Sequence, residues 1–196
     1  MDDLLDWRLL LVIAVFGVGW AIARVDMDQV VSKARVVPGL IMEGIGSLLR
    51  GQRLEAARAF LAAGQPLGPE NAELHFAAGE LFRIQGGYEE AIRVHKVLLA
   101  AEGLDEETRA RARFELGLDY QKGGFLDLAE QCFGRLEGTA HADESLRHLF
   151  NIHLYSRDWE RAVADEERFA KDDISSELRR HVIAQLYCEW ASEAAG

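Results

Sequence analysis

The stretch GGYEEAIRVHKVL, residues 86–98, has three relatives elsewhere in the chain. They are GQRLEAARAFL (51–61), GGFLDLAEQCFGRL (123–136) and RDWERAVADEERF (157–169). When the four stretches are aligned, one column contains only alanine, at spacings of 35, 38 and 33 residues. These alanines are Ala56, Ala91, Ala129 and Ala162. A period of this length is typical of repeats in which each unit is a pair of antiparallel helices.

A second column of small residues lies twelve positions before each alanine. It holds Gly44, Gly79 and Gly117, while Phe150 takes this place in the fourth unit. A small residue here lets the two helices of a pair cross closely, so the two columns predict an all-α fold, a TPR-type (tetratricopeptide) α-solenoid of about four and a half repeats. Phe150 predicts that the fourth pair packs more loosely or is rotated. The slot four residues after each alanine holds Phe60, His95, Phe133 and Glu166.

The composition agrees with a helical, acidic protein. The chain has 196 residues and three prolines, which is long enough for a repeat array and too short for two full catalytic domains. Its 33 acidic residues exceed its 22 basic residues, and the net charge of −11 argues against nucleic acid as a partner. The two cysteines, Cys132 and Cys188, form no CxxC motif, which excludes a disulfide scaffold and the common zinc modules.

One segment near the N-terminus differs from the rest because Leu9–Ala23 carries no charge. Counted from Leu4, it forms about 30 Å of helix, which matches the hydrocarbon core of a bilayer. We therefore predict a single transmembrane helix over residues 1–25, a juxtamembrane tether over 26–39 and the TPR array over 40–196. A cleaved signal peptide and a buried core helix are the alternatives. The acidic residues before the segment disfavour the first, and the missing polar face disfavours the second.

Basic residues flank this apolar segment unevenly. Arg8 precedes it, whereas Arg24, Lys33 and Arg35 follow it. Because positive charges near a membrane span tend to stay on the cytoplasmic side, this difference predicts that the bulk of the chain lies in the cytoplasm.

The repeat pattern also predicts the domain boundaries and leaves one helix over. The complete repeats are predicted at about 40–70, 72–105, 110–142 and 143–175, with a partial repeat at 184–196. The final stretch, HVIAQLYCEWASEAAG, matches a first helix without its partner and presents an apolar stripe through Ile183, Tyr187 and Trp190. We therefore expect that the chain is a fragment or that another chain covers the stripe. The alternative is that this last helix caps the array.

Side chains of the first helix in each pair line the concave face of a TPR array, and we predict a partner-binding groove there. The predicted groove residues are Phe76, Glu80, Arg83, Phe114, Leu118, Gln121, Arg147 and Asn151. The residues predicted to pack the repeats are Gly44, Ala56, Gly79, Ala91, Gly117, Ala129 and Ala162. Arg147 and Asn151 have the spacing of two residues of a carboxylate clamp, but the further donors that such a clamp needs are missing.

The residues that could carry chemistry do not form a catalytic pattern. His148 and His153 are five residues apart, so on a helix they diverge instead of converging on a metal. The acidic runs 105–107 and 165–167 indicate helix-start charges and a solvated face. Both cysteines are expected to be buried packing residues. The sequence therefore predicts a chain that is not an enzyme and that holds no metal or cofactor.

Three stretches are more specific than the general TPR pattern. They are ELHFAAGELFRIQGGYEEAIRVHKVLL (73–99), LGLDYQKGGFLDLAEQCFGRL (116–136) and IAQLYCEWA (183–191). Together with the apolar N-terminal segment, they resemble the N-terminal half of the lipopolysaccharide assembly protein B family of Gram-negative bacteria. The resemblance covers essentially the whole chain.

This resemblance implies an adaptor on the cytoplasmic face of the inner membrane. Members of the family promote degradation of the deacetylase of the lipid A pathway by the membrane-bound AAA+ protease, and they help to gather other lipopolysaccharide assembly proteins. They also carry a C-terminal rubredoxin-like metal domain with paired CxxC ligands, which is absent from this sequence. Its absence puts in doubt whether this chain carries the full regulatory activity.

Two other functions fit the same residues. One is a generic TPR scaffold of another envelope complex, which would be periplasmic if the leader were removed. The other is an enzyme regulator that depends on a metal domain supplied elsewhere.

Overall fold

The structure is a computed structural model that describes residues 38–65, 67–169 and 176–194. All regular elements in these residues are helical, which confirms the all-α prediction for this part of the chain. The predicted membrane anchor, residues 1–25, and nearly all of the predicted tether, 26–39, lie outside the described residues. Among the helices that are described, none is both long and apolar enough to cross a bilayer.

The helices follow one another along the chain with short connections. They are α1 (38–49), α2 (Arg53–Ala63), α3 (Ala72–Ile84), α4 (Tyr88–Leu99), α5 (Glu106–Lys122), α6 (Leu126–Gly134), α7 (Ala142–Tyr155), α8 (Trp159–Phe169) and α9 (Ser176–Ala194), with a 3₁₀ turn at Pro69–Asn71 before α3. From α2 to α9, each helix packs against the next, and α3 also contacts α5. Helix pairs therefore stack in chain order, as in an α-solenoid.

Two observed helix starts differ from the predicted repeat boundaries. Helix α5 begins at Glu106, four residues before the predicted start at 110, because Asp105 caps it: its carboxylate accepts a 2.7 Å hydrogen bond from the Thr108 backbone N–H. This bond lowers the pKa of Asp105, as expected for a carboxylate at the positive end of a helix. Helix α9 begins at Ser176, eight residues before the predicted start of the partial repeat at 184.

The alanine column lies inside the helix pairs. Ala56, Ala91, Ala129 and Ala162 are all 0% exposed. Buried alanines bring the second helix of each pair close to its neighbours, since a methyl group takes up little space between two backbones. The apolar residues form several small clusters that follow one another along the array, so no single central core holds the molecule together.

The glycine column lies where the two helices of a pair cross. A Cβ added to Gly44 would overlap the Phe60 ring, and one added to Gly79 would overlap the His95 ring. At Gly117, the added Cβ would lie 2.7 Å from Phe133 Cε1. In three repeats, an aromatic ring from the second helix therefore occupies the space that a side chain on the first helix would need.

The fourth helix pair has a different arrangement at this crossing. Phe150 stands in the glycine position of α7, and its half-buried ring packs against a cluster that contains Ala162, Val163 and Leu186. Glu166 stands in the ring position of α8 and is half-buried. The ring at the crossing thus comes from the first helix in this pair and from the second helix in the other three.

The turn between the two helices of each pair needs a left-handed residue at the same position. Gly51, Gly86 and Gly124 have φ values of +77°, +79° and +82°. The corresponding residue of the fourth repeat is Arg157, with φ of +57°. Glycine adopts this conformation without the steric cost that a Cβ imposes, so these glycines suit the turns, and Arg157 carries some backbone strain.

We expect Gly117→Ala to destabilise the protein by about 1–3 kcal/mol, the usual cost of overpacking a filled core. The Phe133 ring cannot move aside easily, because it is stacked on His148 at 4.8 Å and packed against Phe114 at 5.7 Å. Urea unfolding followed by circular dichroism measures the effect. The matched control is Gly134→Ala, since a Cβ at Gly134 meets no atom within 4 Å and should gain helix propensity. Equal midpoints for the two variants would contradict the proposed crossing constraint.

Candidate partner-binding groove

Two of the eight predicted groove residues are not accessible in the structure. Phe76 is 4% exposed and Phe114 is 5% exposed, and each belongs to an apolar cluster. The Arg111 guanidinium covers the Phe76 ring at 4.1 Å from its centroid, and Arg111 also pairs with Glu73 at 2.5 Å. The prediction is therefore corrected at these two positions, because the rings fill the space between neighbouring helices and present no surface to a partner.

The remaining predicted groove residues divide by exposure. Glu80, Arg147 and Asn151 are exposed, while Leu118 and Gln121 are half-buried. Leu118 packs against the cluster around Phe114 and Phe133. The predicted groove residues that are exposed are therefore polar or charged.

Arg83, the eighth predicted groove residue, is used inside the protein. Its guanidinium lies 2.7 Å from the Asp119 carboxylate and 2.7 Å from the Glu115 carboxylate. The side chain joins α3 to α5, the two first helices that lie in direct contact. Burial alone would lower the pKa of Arg83, but the hydrogen bonds and negative charges of Glu115 and Asp119 outweigh it and raise the pKa. Arg83 is therefore a fixed cation between repeats, with little freedom to bind a partner.

His95 completes this network from the second helix of the preceding pair. Its Nδ1 lies 2.5 Å from the second oxygen of Asp119, and both side chains are 0% exposed. A carboxylate accepts hydrogen bonds, so we assign Nδ1 as the donor. One buried carboxylate thus joins α3 and α4 to α5. Arg83 was identified from the sequence, but its partners Asp119 and His95 were not. The available signal was that His95 occupies a position that holds phenylalanine in two other repeats.

A second buried histidine–carboxylate pair lies in the fourth repeat. His153 Nδ1 is 2.7 Å from an Asp165 carboxylate oxygen, which joins α7 to α8. Burial raises the pKa of Asp165, although the hydrogen bond and charge of His153 act in the opposite direction. The prediction of a solvated face for the run 165–167 is therefore wrong at Asp165.

An aromatic cluster joins the third pair to the fourth. His148 stacks on Phe133 at 4.8 Å and meets Phe114 edge-on at 5.8 Å, while His141 stacks on Phe114 at 4.9 Å. Burial lowers the pKa of His148, which keeps the ring neutral among its aromatic neighbours. The two histidines singled out in the sequence, His148 and His153, thus pack between helices and pair with different groups.

The two cysteines differ in burial. Cys132 is half-buried, and burial raises the pKa of its thiol. Cys188 is exposed, so the expectation of a buried packing residue is wrong there, because its side of α9 has no helix against it in the described part of the chain.

Tyr187 and Trp190 stack on each other at 6.1 Å and are exposed, as predicted, whereas Ile183 packs on the cluster around Ala162 and Leu186.

The described residues contain no convergence of three His, Cys, Asp or Glu side chains that could hold a metal ion. The two cysteines lie on separate helices, α6 and α9, and form no CxxC pair.

We expect Asp119→Asn to lower the free energy of unfolding by about 3–5 kcal/mol, because it removes the buried negative charge and replaces one of the two acceptor oxygens, which serve Arg83 and His95, with an amide N–H donor. Thermal or urea unfolding measures the loss. Glu73→Gln is the matched control, since it makes the same chemical change in the exposed Glu73–Arg111 pair, and it should cost less than about 1 kcal/mol. Similar losses for the two variants would show that the buried network contributes no more to the free energy of unfolding than the exposed pair does.

We expect part of the stability to disappear as the pH falls below about 6.5. The folded pKa of His148 is lowered, so protonation favours the unfolded chain, and the stabilisation present above the unfolded pKa is lost as the pH falls through it. His148→Phe keeps an aromatic ring and removes the titration, so the drop in melting temperature between pH 8 and pH 5.5 should be smaller than in the wild type. His181→Gln, a change at an exposed histidine, should leave the drop intact. An unchanged pH profile in His148→Phe would contradict this assignment.

Solved structures with similar folds support the architecture. The chain matches a tetratricopeptide repeat protein from Parabacteroides merdae with a TM-score of 0.62 and 16% identity, over 80% of this chain and 62% of the other. It matches TPR-like repeats of a protein described as a kinesin light chain from Podosopora anserina with a TM-score of 0.60 and 16% identity, over 83% and 90% of the two chains. At such identities the likeness concerns the fold alone, and it confirms the TPR-like, all-α part of the prediction.

Comparison with curated proteins extends to nearly the whole chain. No protein-family model matches it. Lipopolysaccharide assembly protein B of Escherichia coli strain K12 is 30% identical over 191 residues, which cover 96% of this chain and 48% of that protein. The protein of the same name from Haemophilus influenzae is 28% identical over 93% of this chain and 48% of its own length. The chain therefore spans about half the length of these homologues, and its resemblance to lipopolysaccharide assembly protein B, first inferred from sequence, is confirmed.

Proposed function

We propose that the chain is an inner-membrane-anchored TPR adaptor that regulates lipopolysaccharide synthesis. In this proposal it promotes degradation of the lipid A pathway deacetylase by the membrane AAA+ protease and gathers other lipopolysaccharide assembly proteins. The observation that supports it most is the similarity over 96% of the chain to curated proteins named lipopolysaccharide assembly protein B. The TPR-like fold also supports it, since such arrays serve chiefly as surfaces for other proteins.

The proposed mechanism is tethering, without a chemical step in this chain. An adaptor, a protease and a substrate that share one membrane surface meet at a raised effective concentration, even when each individual contact is weak. The gain depends on geometry, because a tether that cannot reach gives no effect. In this proposal, residues 1–25 place the array on the cytoplasmic side of the inner membrane and are part of the activity.

The accessible groove side chains favour a polar partner surface. Glu80, Arg147 and Asn151 are exposed on three different first-helix positions, whereas Arg83, Phe76 and Phe114 are committed to internal contacts. Exposed charges of both signs favour recognition by complementary charge, which raises the rate and specificity of association more than the affinity. Transient contact suits an adaptor that must release its substrate to a protease.

Depletion of the protein in its host should lengthen the half-life of the deacetylase, measured by pulse-chase or by immunoblotting after translation is stopped. Re-expression of the complete protein should restore rapid turnover. Deletion of residues 1–25 should fail to restore it, while an unrelated single-span anchor fused in their place should succeed, because the proposal requires membrane placement and not a particular anchor sequence.

Either of two results would count against the proposal. An unchanged half-life after depletion would favour a scaffold of another envelope complex. Full activity of a soluble form without residues 1–25 would refute the tethering mechanism and leave the family resemblance unaffected.

A further inference from the structure

The first helix of the array has an apolar face that nothing in the described residues covers. Met42 is 66% exposed, Ile45 is 41% exposed, Leu48 is 38% exposed and Leu49 is 85% exposed. Large apolar side chains are individually common on protein surfaces, but four on one helix of twelve described residues form a contiguous patch. Such a patch marks a contact with an apolar partner.

Helix geometry places these four side chains together. At about 100° per residue, Met42, Ile45 and Leu49 lie within about 60° of one another, and Leu48 extends the stripe towards the buried side. The opposite side of α1 packs on its own repeat: Gly44 faces the Phe60 ring and Ser47 is buried. The stripe therefore points away from the contact that holds α1 in the array.

The charges around this helix differ in sign from those of the protein as a whole. Residues 33–53 contain four basic residues, Lys33, Arg35, Arg50 and Arg53, and one acidic residue, Glu43, which gives a local net charge of +3. The whole chain has a net charge of −11. Arg50 and Arg53, which follow the end of α1 and begin α2, are both exposed, and the Arg50 guanidinium also donates to Ser47 Oγ at 3.2 Å and to Gln52 Oε1 at 2.8 Å. An apolar stripe with adjacent basic residues is the pattern of a helix that lies on an anionic membrane surface.

The position of α1 in the sequence favours a lipid surface over another occupant. Only residues 24–37 separate the apolar run that ends at Ala23 from the described start of α1, and fourteen residues span at most about 50 Å. If the run is inserted, α1 lies within this reach of the bilayer, so a contact with the lipid surface needs no further chain. A second copy of the chain is a weaker candidate, because four side chains on one short helix provide much less than the roughly 800 Å² per partner of a stable protein interface.

We infer that α1 lies on the cytoplasmic surface of the membrane, with Met42, Ile45, Leu48 and Leu49 in the headgroup region and Arg50 and Arg53 near anionic lipid phosphates. This inference rests on the membrane anchor of the proposed function and adds a second contact to it. Two contacts with the bilayer restrict the direction in which the array leaves the membrane more than the anchor alone would. The first repeat would then act as a base for the groove.

A fluorescent probe on the full chain tests this contact. Leu49→Cys, in a Cys188→Ser background that removes the exposed cysteine, is labelled with an environment-sensitive dye and reconstituted in vesicles that contain phosphatidylglycerol. Lipids brominated near the headgroup should quench this dye at least twofold. The matched control is Glu43→Cys, which lies on the same helix about 150° from the centre of the stripe and should be quenched little. Replacing phosphatidylglycerol by phosphatidylcholine should reduce the quenching at Leu49 severalfold.

The other outcomes separate the inference from the proposal on which it rests. If the chain does not float with the vesicles at all, the anchor of the proposed function fails. If the chain floats but the Leu49 dye stays open to iodide and untouched by brominated lipid, the anchor holds and the inference is overturned. Shielding from iodide without lipid quenching, together with crosslinks between copies at Leu49→Cys, would assign the stripe to a second copy and also overturn it. Equal quenching in both lipids would overturn the role of the basic residues.

Discussion

The stack depends on the missing side chain at one position in the first helix of each of the first three pairs. Gly44, Gly79 and Gly117 leave room for a ring from the second helix, and the ring fills this room so fully that an added Cβ would overlap it. The turn glycines and the buried alanines serve the same crossing, because they set the angle and the distance at which the second helix returns. Since His95 contacts Asp119 and Phe133 contacts His148, the crossing within each of these pairs positions the pair that follows.

His95 shows what changes when the ring is polar. Its side chain fills the same place as Phe60 and Phe133, but it directs Nδ1 to the buried Asp119 carboxylate, which Arg83 balances. The contact between the second and third repeats is therefore ionic as well as apolar. A buried ion pair contributes less to net stability than well-packed apolar groups, but its geometry accepts only one register. The groove is affected too, because Arg83 is engaged in this network and the surface left for a partner is made by other side chains.

The sequence was sufficient for features that depend on residues close together in the chain. The period and the glycine and alanine columns reflect the local geometry of one helix pair, so they could be predicted. The exposure of individual side chains could not be predicted in this way. Phe76 and Asp165 were expected to face a partner or water, yet each is buried because of a residue on a neighbouring helix, Arg111 in one case and His153 in the other. The helical pattern of the sequence shows on which face of its helix a residue lies. Whether that face is buried depends on the side chains of the neighbouring helix.

Contacts between neighbouring helices also affect how an adaptor of this kind could work. Each apolar cluster joins neighbouring helices, so a distortion is passed to the adjacent pair and little further, and in the proposed function the array would hold its partners at defined positions. Such a scaffold gains most when its own orientation is fixed, because its groove is then confined to a smaller volume. The exposed apolar stripe of α1 offers a second contact that would restrict this orientation. Rigidity within the array and attachment at its base would therefore act together to set the effective concentration at the groove.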